Sequence, residues 1–276
     1  MADSSGSNGS SDRTSMPRPA RNGQSFKPQS TAEMVAADLR RQIVAGKLPD
    51  GTYLPRQDDL LDLYEVSRPS LREALRVLES EGLISIRRGK LGGAVVHRPT
   101  LHMVAQTLGI VLDSQNVSTP DLSTALNLLE PQCVALCAAR ADRKKTVIPL
   151  LRDSHDHAAS VIDDVQAFTV ASRRFHEIIV TECGNFSLTL LVGALEAVWS
   201  TRAREWAARS AETRQFPDLA YRQQGLKDHE VMIAILEDGD VEEAVKEAKR
   251  HLEWAPVYSV DEHLGLVGLG EFDPFD

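Results

Sequence analysis

Cysteine is scarce in this 276-residue chain: there are three, Cys133, Cys137 and Cys183. An odd, sparse count excludes a disulfide framework and suits a reducing compartment such as the cytoplasm. Cys133 and Cys137 stand four apart, on one face if helical, a spacing that favours core packing over a metal site. Long apolar runs are also lacking. No stretch approaches the roughly 18 residues that a membrane span requires. The N-terminus shows no apolar core of a signal peptide, so neither membrane nor secretion is expected. No phosphate-cradling glycine loop and no nucleophile elbow occurs, which argues against the common enzyme classes.

Positive charge is short overall, since 31 Lys/Arg face 40 Asp/Glu for a net −9. The deficit is uneven. Residues 1–98 hold 15 basic against 12 acidic residues, and the remainder holds 16 against 28. The acidity therefore belongs to the second part. It leaves open what the first part binds, because local basic patches govern contact with phosphates.

Residues 1–30 are Ser, Gly, Pro and Arg with almost nothing to bury, the composition of a disordered tail. Arg13, Arg18, Arg21 and Lys27 lie in it. From Thr31, Val35, Leu39 and Ile43 recur at helical spacing. Gly46, Pro49, Asp50 and Gly51 then make a turn. Pro55 suits the start of a short helix over about 56–64, with Leu60, Leu61 and Leu63 facing inward. Ser67 is a good N-cap and Pro69 tolerates a helix start. Leu71, Ala74, Leu75 and Leu78 form the next buried stripe, and Gly82 stops it. Leu83 to Ile86 alternates like a strand, Gly89 to Gly93 turns, and Ala94 to Val96 returns. The reading is three helices and a β-hairpin over 31–98.

The arginines at 68, 72 and 76 lie along one face of the helix that Ser67 opens. Arg68 and Arg72 oppose the helix dipole, which prefers acids at this end. Cations placed there suggest an anionic partner. Three helices and a hairpin form the winged helix-turn-helix plan, which inserts such a helix into a DNA major groove. An arginine fork matches O6 and N7 of guanine. The hairpin tip, Arg87-Arg88-Gly89-Lys90, would meet backbone phosphates. Arg76, with Glu73 and Glu79 beside it, fits surface pairing equally well.

From His102 to about Trp254 the pattern is helical throughout, with segments over 102–113, 120–141, 144–160, 164–183, 187–212, 218–237 and 240–254. Asp121, Asp164, Asp218 and Asp240 stand near helix starts. The fold class is mainly α: an N-terminal winged helix-turn-helix, an all-helical bundle over 99–256, and an acidic tail over 257–276. His176, His229 and His251 come from separate helices. Imidazoles so placed can converge and bind a divalent metal, though spacing alone leaves convergence open. His155 and His157 read as an exposed loop cluster.

VSRPSLREALRVLESEGL (66–83), within LPRQDDLLDLYEVSRPSLREALRVLESEGLI, closely resembles the DNA-binding domain of GntR-family transcription regulators. The resemblance implies that Arg68, Arg72, Arg88 and Gly89 contact DNA, with Ser70 near a phosphate and Lys90 on the wing. Asp58 departs from it, since the family usually has arginine there. Arg56, two residues earlier, is the expected replacement contact, and Asp58 is expected to turn away or to accept from a cytosine amino group. Residues 102–254 resemble the FCD-type effector domain of the FadR branch. Phe175-His176, Asn185, Glu130-Pro131, and His229 and His251 carry that likeness. It implies one divalent metal (Zn, Ni or Mn) on His176, His229 and His251, helping to hold a small carboxylate effector. Ser172 stands where the family has a metal-binding aspartate, and Leu126 where it commonly has arginine. The expected effector site is therefore Ser172, His176, His229 and His251, and the apolar exchange hints at an acyl group.

The expected function is a ligand-responsive transcription regulator, a cytoplasmic homodimer on a pseudo-palindromic operator in double-stranded DNA, and a repressor released by an acid or acyl effector. The alternatives are a three-histidine metalloenzyme or metal-dependent sensor, and a helical scaffold whose basic face is incidental.

Overall fold

The computed structural model describes residues 30–89, 92–213 and 219–254, with side chains excepted at 210–213 and 254. The expectations for the tails and for Lys90 and Asp218 lie outside the described residues. The chain divides into two compact units between His97 and Arg98.

In the first unit, α1 (Thr31–Val44) opens on a capping box. Ser30 Oγ accepts from the Glu33 backbone N–H at 3.1 Å, and Glu33 accepts from the Ser30 N–H at 2.9 Å. α2 (Gln57–Tyr64) follows, with Arg56 at its N-cap position, and α3 (Arg68–Ser80) starts from Ser67. Leu39, Ile43, Leu60, Leu71 and Leu78 interlock in one core with Leu83 and Val96. Two polar ties fix the helices. Arg40 makes a two-bonded pair with Glu81 beyond α3, and the Tyr64 hydroxyl donates to Asp38 on α1 at 2.8 Å. The wing is β1 (Ile84–Arg87) antiparallel to β2 (Gly93–Val96), with Ile84 opposite Val96 and Arg87 opposite Gly93. Tyr53 adds a single bridge to Val95. At the tip Gly89 has φ +116°, and a Cβ on Gly92 would meet the Arg87 carbonyl at 2.5 Å. Only glycine makes this turn without strain.

The Tyr64 tie has a measurable signature. That hydrogen bond, helped by Gln42, lowers the Asp38 carboxyl below its ordinary 3.8, while burial and Asp38 push the Tyr64 phenol up to about 12. A depressed carboxyl stabilises the fold above its unfolded pKa and loses that contribution as pH falls. Tyr64→Phe should therefore be less stable than wild type at about pH 5, with the gap closing towards about pH 3, read by urea melts at both pH values.

The second unit is helical among the described residues: α4 (Leu101–Ser114), α5 (Thr119–Ala139), α6 (Arg143–Ser160), α7 (Val165–Glu182), α8 (Phe186–Thr213), α9 (Leu219–Asp238) and α10 (Val241–Trp254). α7 packs against α6 and α8, while α5 packs against α10, α8, α7 and α9. Phe175, Ile179, Leu151, Leu122, Val192 and Leu236 share the core. Cys133, Cys137 and Cys183 are free and buried there.

Three expectations are corrected. Leu63 on α2 does not face inward: it is exposed, while Leu60 is buried in the core. α5 is in fact long and apolar enough to cross a membrane by length and composition. Its apolarity serves packing, since Leu122, Leu126, Val134 and Cys137 enter the core and Glu130 lies on the same helix. His155 and His157 stand on α6 rather than on a loop. His157 is exposed, but His155 is half-buried beside the buried stripe of Leu151, Ser154 and Ala158.

Candidate functional site

Two constellations stand on these units, one basic and exposed, the other buried and rich in histidine. On the first unit, Pro69 and the Ser67 cap start α3 so that Arg68 occupies its first position. Leu71, Ala74 and Leu78 anchor one face in the core. Arg68, Arg72 and Arg76 are left exposed on another. Arg76 lies 3.6 Å from Glu73, a surface pairing. Arg56, Arg88 and Gly89 are exposed as well. Ser70 is half-buried, and its hydroxyl shares a 2.9 Å hydrogen bond with Ser67 Oγ, so it belongs to the helix cap. Asp58 is exposed, and its Oδ1 accepts from Arg68 Nη2 at 2.9 Å.

In the second unit, α7, α9 and α10 bring His176, His229 and His251 together. One ring nitrogen from each lies within 4.8 Å of the other two. Zinc bonds of about 2.0–2.1 Å in tetrahedral geometry place ligand nitrogens about 3.4 Å apart, so a modest closure of the rings forms a site. The ring centroids are 4.9–5.3 Å apart, and Phe175 stacks on His229 at 3.9 Å. His176 and His229 are buried. Burial, with the Arg173 charge for His176 and the His251 charge for His229, holds both well below the ordinary histidine range. They are neutral, the state that a metal ligand needs.

Carboxylates surround the imidazoles. Glu130 Oε1 lies 2.6 Å from His176 Nδ1, and Asp228 Oδ2 lies 3.5 Å from His251 Nδ1. Each carboxylate thus occupies Nδ1 and leaves Nε2 for a ligand, the second-layer pattern of metal-binding histidines. Burial alone would raise Asp228, but hydrogen bonds from His251, Arg250 and Gln224 outweigh it and keep it ionised. On α8, Glu196 pairs with Arg173 of α7, and both are buried. Burial raises the Glu130 and Glu196 carboxyls, and the Arg173 charge opposes the rise. Each carboxyl thus leans on the same guanidinium.

Both nitrogens of His229 are buried without a hydrogen-bond partner. A buried imidazole left so is costly unless something else binds it. A metal ion fits this donor set. Ser172 is half-buried one turn before His176, and Leu126 is buried in the core. The residues missed from the sequence are Arg173, Glu196 and Asp228. Glu196 gave a signal: it is the only charged residue in the apolar run 186–200. His155, set aside in the sequence reading, is close enough for its charge to act on His229.

Comparison with known proteins gives the same division. Residues 31–95 match the family described as "Bacterial regulatory proteins, gntR family", and residues 121–253 match the "FCD domain". The HTH-type transcriptional repressor NanR of Salmonella schwarzengrund is 26% identical over 225 residues, covering 80% of this chain and 81% of its own. NanR of Salmonella bongori is 28% identical over 196 residues, covering 70% of this chain and 72% of its own. Streptococcus agalactiae GntR has the same fold, with a TM-score of 0.63 at 20% identity, covering 81% of this chain and 97% of that one. The metalloenzyme alternative finds no support in these matches. The chain belongs to the GntR family of bacterial regulatory proteins and is a ligand-responsive, DNA-binding transcription regulator whose helical unit is an FCD domain.

Proposed function

We propose that the chain is a cytoplasmic repressor that binds a pseudo-palindromic operator as a homodimer and leaves it when an organic acid or acyl compound enters the FCD domain. The single observation that carries the DNA part is the exposed row Arg68, Arg72 and Arg76 on a helix whose opposite face is locked into the core. In this reading Arg68 and Arg72 enter the major groove. Arg56, Arg88, Gly89 and Lys90 contact the flanking backbone, and Ser70 supports the helix start near a phosphate. The NanR relatives are repressors by name, which favours that sign of regulation.

His176, His229 and His251 would hold one divalent ion (Zn, Ni or Mn), and the ion when bound supplies a positive anchor for an effector carboxylate. Glu130 and Asp228 orient two of the three rings. Ser172, beside His176 on α7, adds a hydroxyl to the effector site. The effector shifts DNA affinity only through its different affinity for the DNA-competent and DNA-incompetent geometries.

Fluorescence anisotropy with fragments of the gene's own upstream region tests the reading. The wild type should bind one fragment far more tightly than random duplex. Arg72→Ala should weaken that complex by about 1–3 kcal/mol. Equal binding to every fragment and to random DNA would refute it.

A further inference from the structure

Asp58 is a carboxylate bonded to the first of the exposed arginines on α3. It sits in the first turn of α2, and Arg68 Nη2 donates to its Oδ1 at 2.9 Å. Both side chains are open to solvent, at 69% for Arg68 and 77% for Asp58. An ion pair this exposed adds next to nothing to stability. Duplex DNA presents a phosphate charge about every 1.7 Å, so an acid here weakens every non-specific complex. In the first turn of α2 it complements the helix dipole, as Asp59 beside it does. What sets Asp58 apart is its bond to an arginine of the reading helix, and an acid so placed suits discrimination.

We infer that Asp58 is a specificity-determining residue: it steers the Arg68 fork onto one guanine and itself accepts from the exocyclic amine of a neighbouring cytosine or adenine. The inference rests on the DNA-reading role of α3 given above. The donor inventory allows it. A guanidinium has five N–H groups, and the Asp58 bond uses one. Enough remain for the paired contact with guanine O6 and N7. Among the described residues no donor reaches Asp58 Oδ2. In the major groove only cytosine and adenine present an amino donor, whereas guanine and thymine show acceptors that a carboxylate repels. The pair thus reads two adjacent positions, one by each partner, and rejects the other bases by charge. Holding the arginine also removes rotamers that would otherwise be frozen on binding.

The test is selection of bound sequences from a random duplex library, with the full chain as wild type, Asp58→Ala, Asp58→Asn and Arg68→Ala. Specific and scrambled duplexes are then compared by anisotropy over a salt series. The wild type should select half-sites in which a guanine adjoins a cytosine or adenine. Asp58→Ala should make the amine-bearing position degenerate, bind scrambled DNA more tightly, and lower the specific-to-scrambled ratio about tenfold, as for one lost base contact. Asp58→Asn should move that position to adenine, whose N6 and N7 an amide matches. A purely structural ion pair would leave the selected bases unchanged. The inference is overturned if the wild type selects a motif and Asp58→Ala returns the same motif at the same ratio. If the wild type selects no motif, the DNA-reading role of α3 has failed, and this inference with it. Asp58 is exposed and contributes nothing to the core, so all variants should keep the wild-type circular dichroism.

Discussion

Arg173→Ala should destabilise the helical unit by about 3–5 kcal/mol, the range for removing one partner of a buried ion pair. The size follows from what stays behind. Glu196 is 2% exposed and loses the guanidinium that it faces. Glu130, equally buried, loses the same compensating charge. Two carboxyls in close approach then share a dry interior with no adjacent cation of that strength. They must take up protons or open the helix packing.

The pH dependence carries a definite sign. Burial already raises the Glu130 and Glu196 carboxyls, and Arg173 restrains the rise. Without Arg173 they rise further. A carboxyl with a raised folded-state pKa contributes stability that is fully present below its unfolded value, 4.5, and is lost as pH rises through the folded value. The penalty of Arg173→Ala should therefore grow from about pH 5 to about pH 8. Neutral His176 and His229 act oppositely, losing stability as pH falls below 6.5. Removing Arg173 also relieves part of that depression, so the variant loses less as pH falls, and the histidines widen the gap at high pH in the same direction. Urea melts of wild type and variant at the two pH values, with chelator present, give the numbers. Adding Glu196→Gln to the variant should recover much of the loss, because it removes the charge left uncompensated. A penalty that is small and flat with pH would show that the pair is wetter than its burial indicates.

The first unit was the more legible part in the sequence because its signals are local. The Ser67 cap, Pro69 and the Leu71, Ala74, Leu78 spacing define α3 without reference to anything distant, and α3 is observed from Arg68. The wing showed itself through alternation and glycines, and its observed strands begin or end within a residue of the reading. The ion pair between Asp58 and Arg68 was not legible, because it joins two helices through side chains ten residues apart. In the second unit helix periodicity and acidic starts gave the elements, and Asp164 does cap α7 by accepting from Gln166 and Ala167. The meeting of three histidines from α7, α9 and α10 is a tertiary fact, and only the family likeness pointed to it. Arg173 was not legible because alone it reads as an ordinary helical charge, and Glu196 because its place in the apolar run 186–200 points to burial without naming its partner. His155 was misplaced because the polar string SHDH hid a helical stripe beneath it.

His229→Ala should abolish metal uptake, and this follows from the one imidazole in the cluster with both nitrogens buried and unbonded. His176 and His251 each have a carboxylate at Nδ1, so a purely structural role for them is easy to imagine. His229 has the Phe175 face stacked on it and the His176 and His251 rings edge-on, but no carboxylate at either nitrogen. Protein purified without chelator or metal-affinity resin should carry about one Zn, Ni or Mn per chain, as a three-histidine centre implies. His229→Ala should carry none. The more informative measurement is the change in melting on adding metal to stripped protein. Binding to the native state stabilises the wild type by about 2.7 kcal/mol when free metal is a hundred times its Kd. The variant should show no shift. Its own baseline falls through the lost stacking and the cavity, but that loss is the same with and without metal and drops out. Wild-type protein that neither holds nor responds to any of the three metals would make the cluster a set of neutral core histidines.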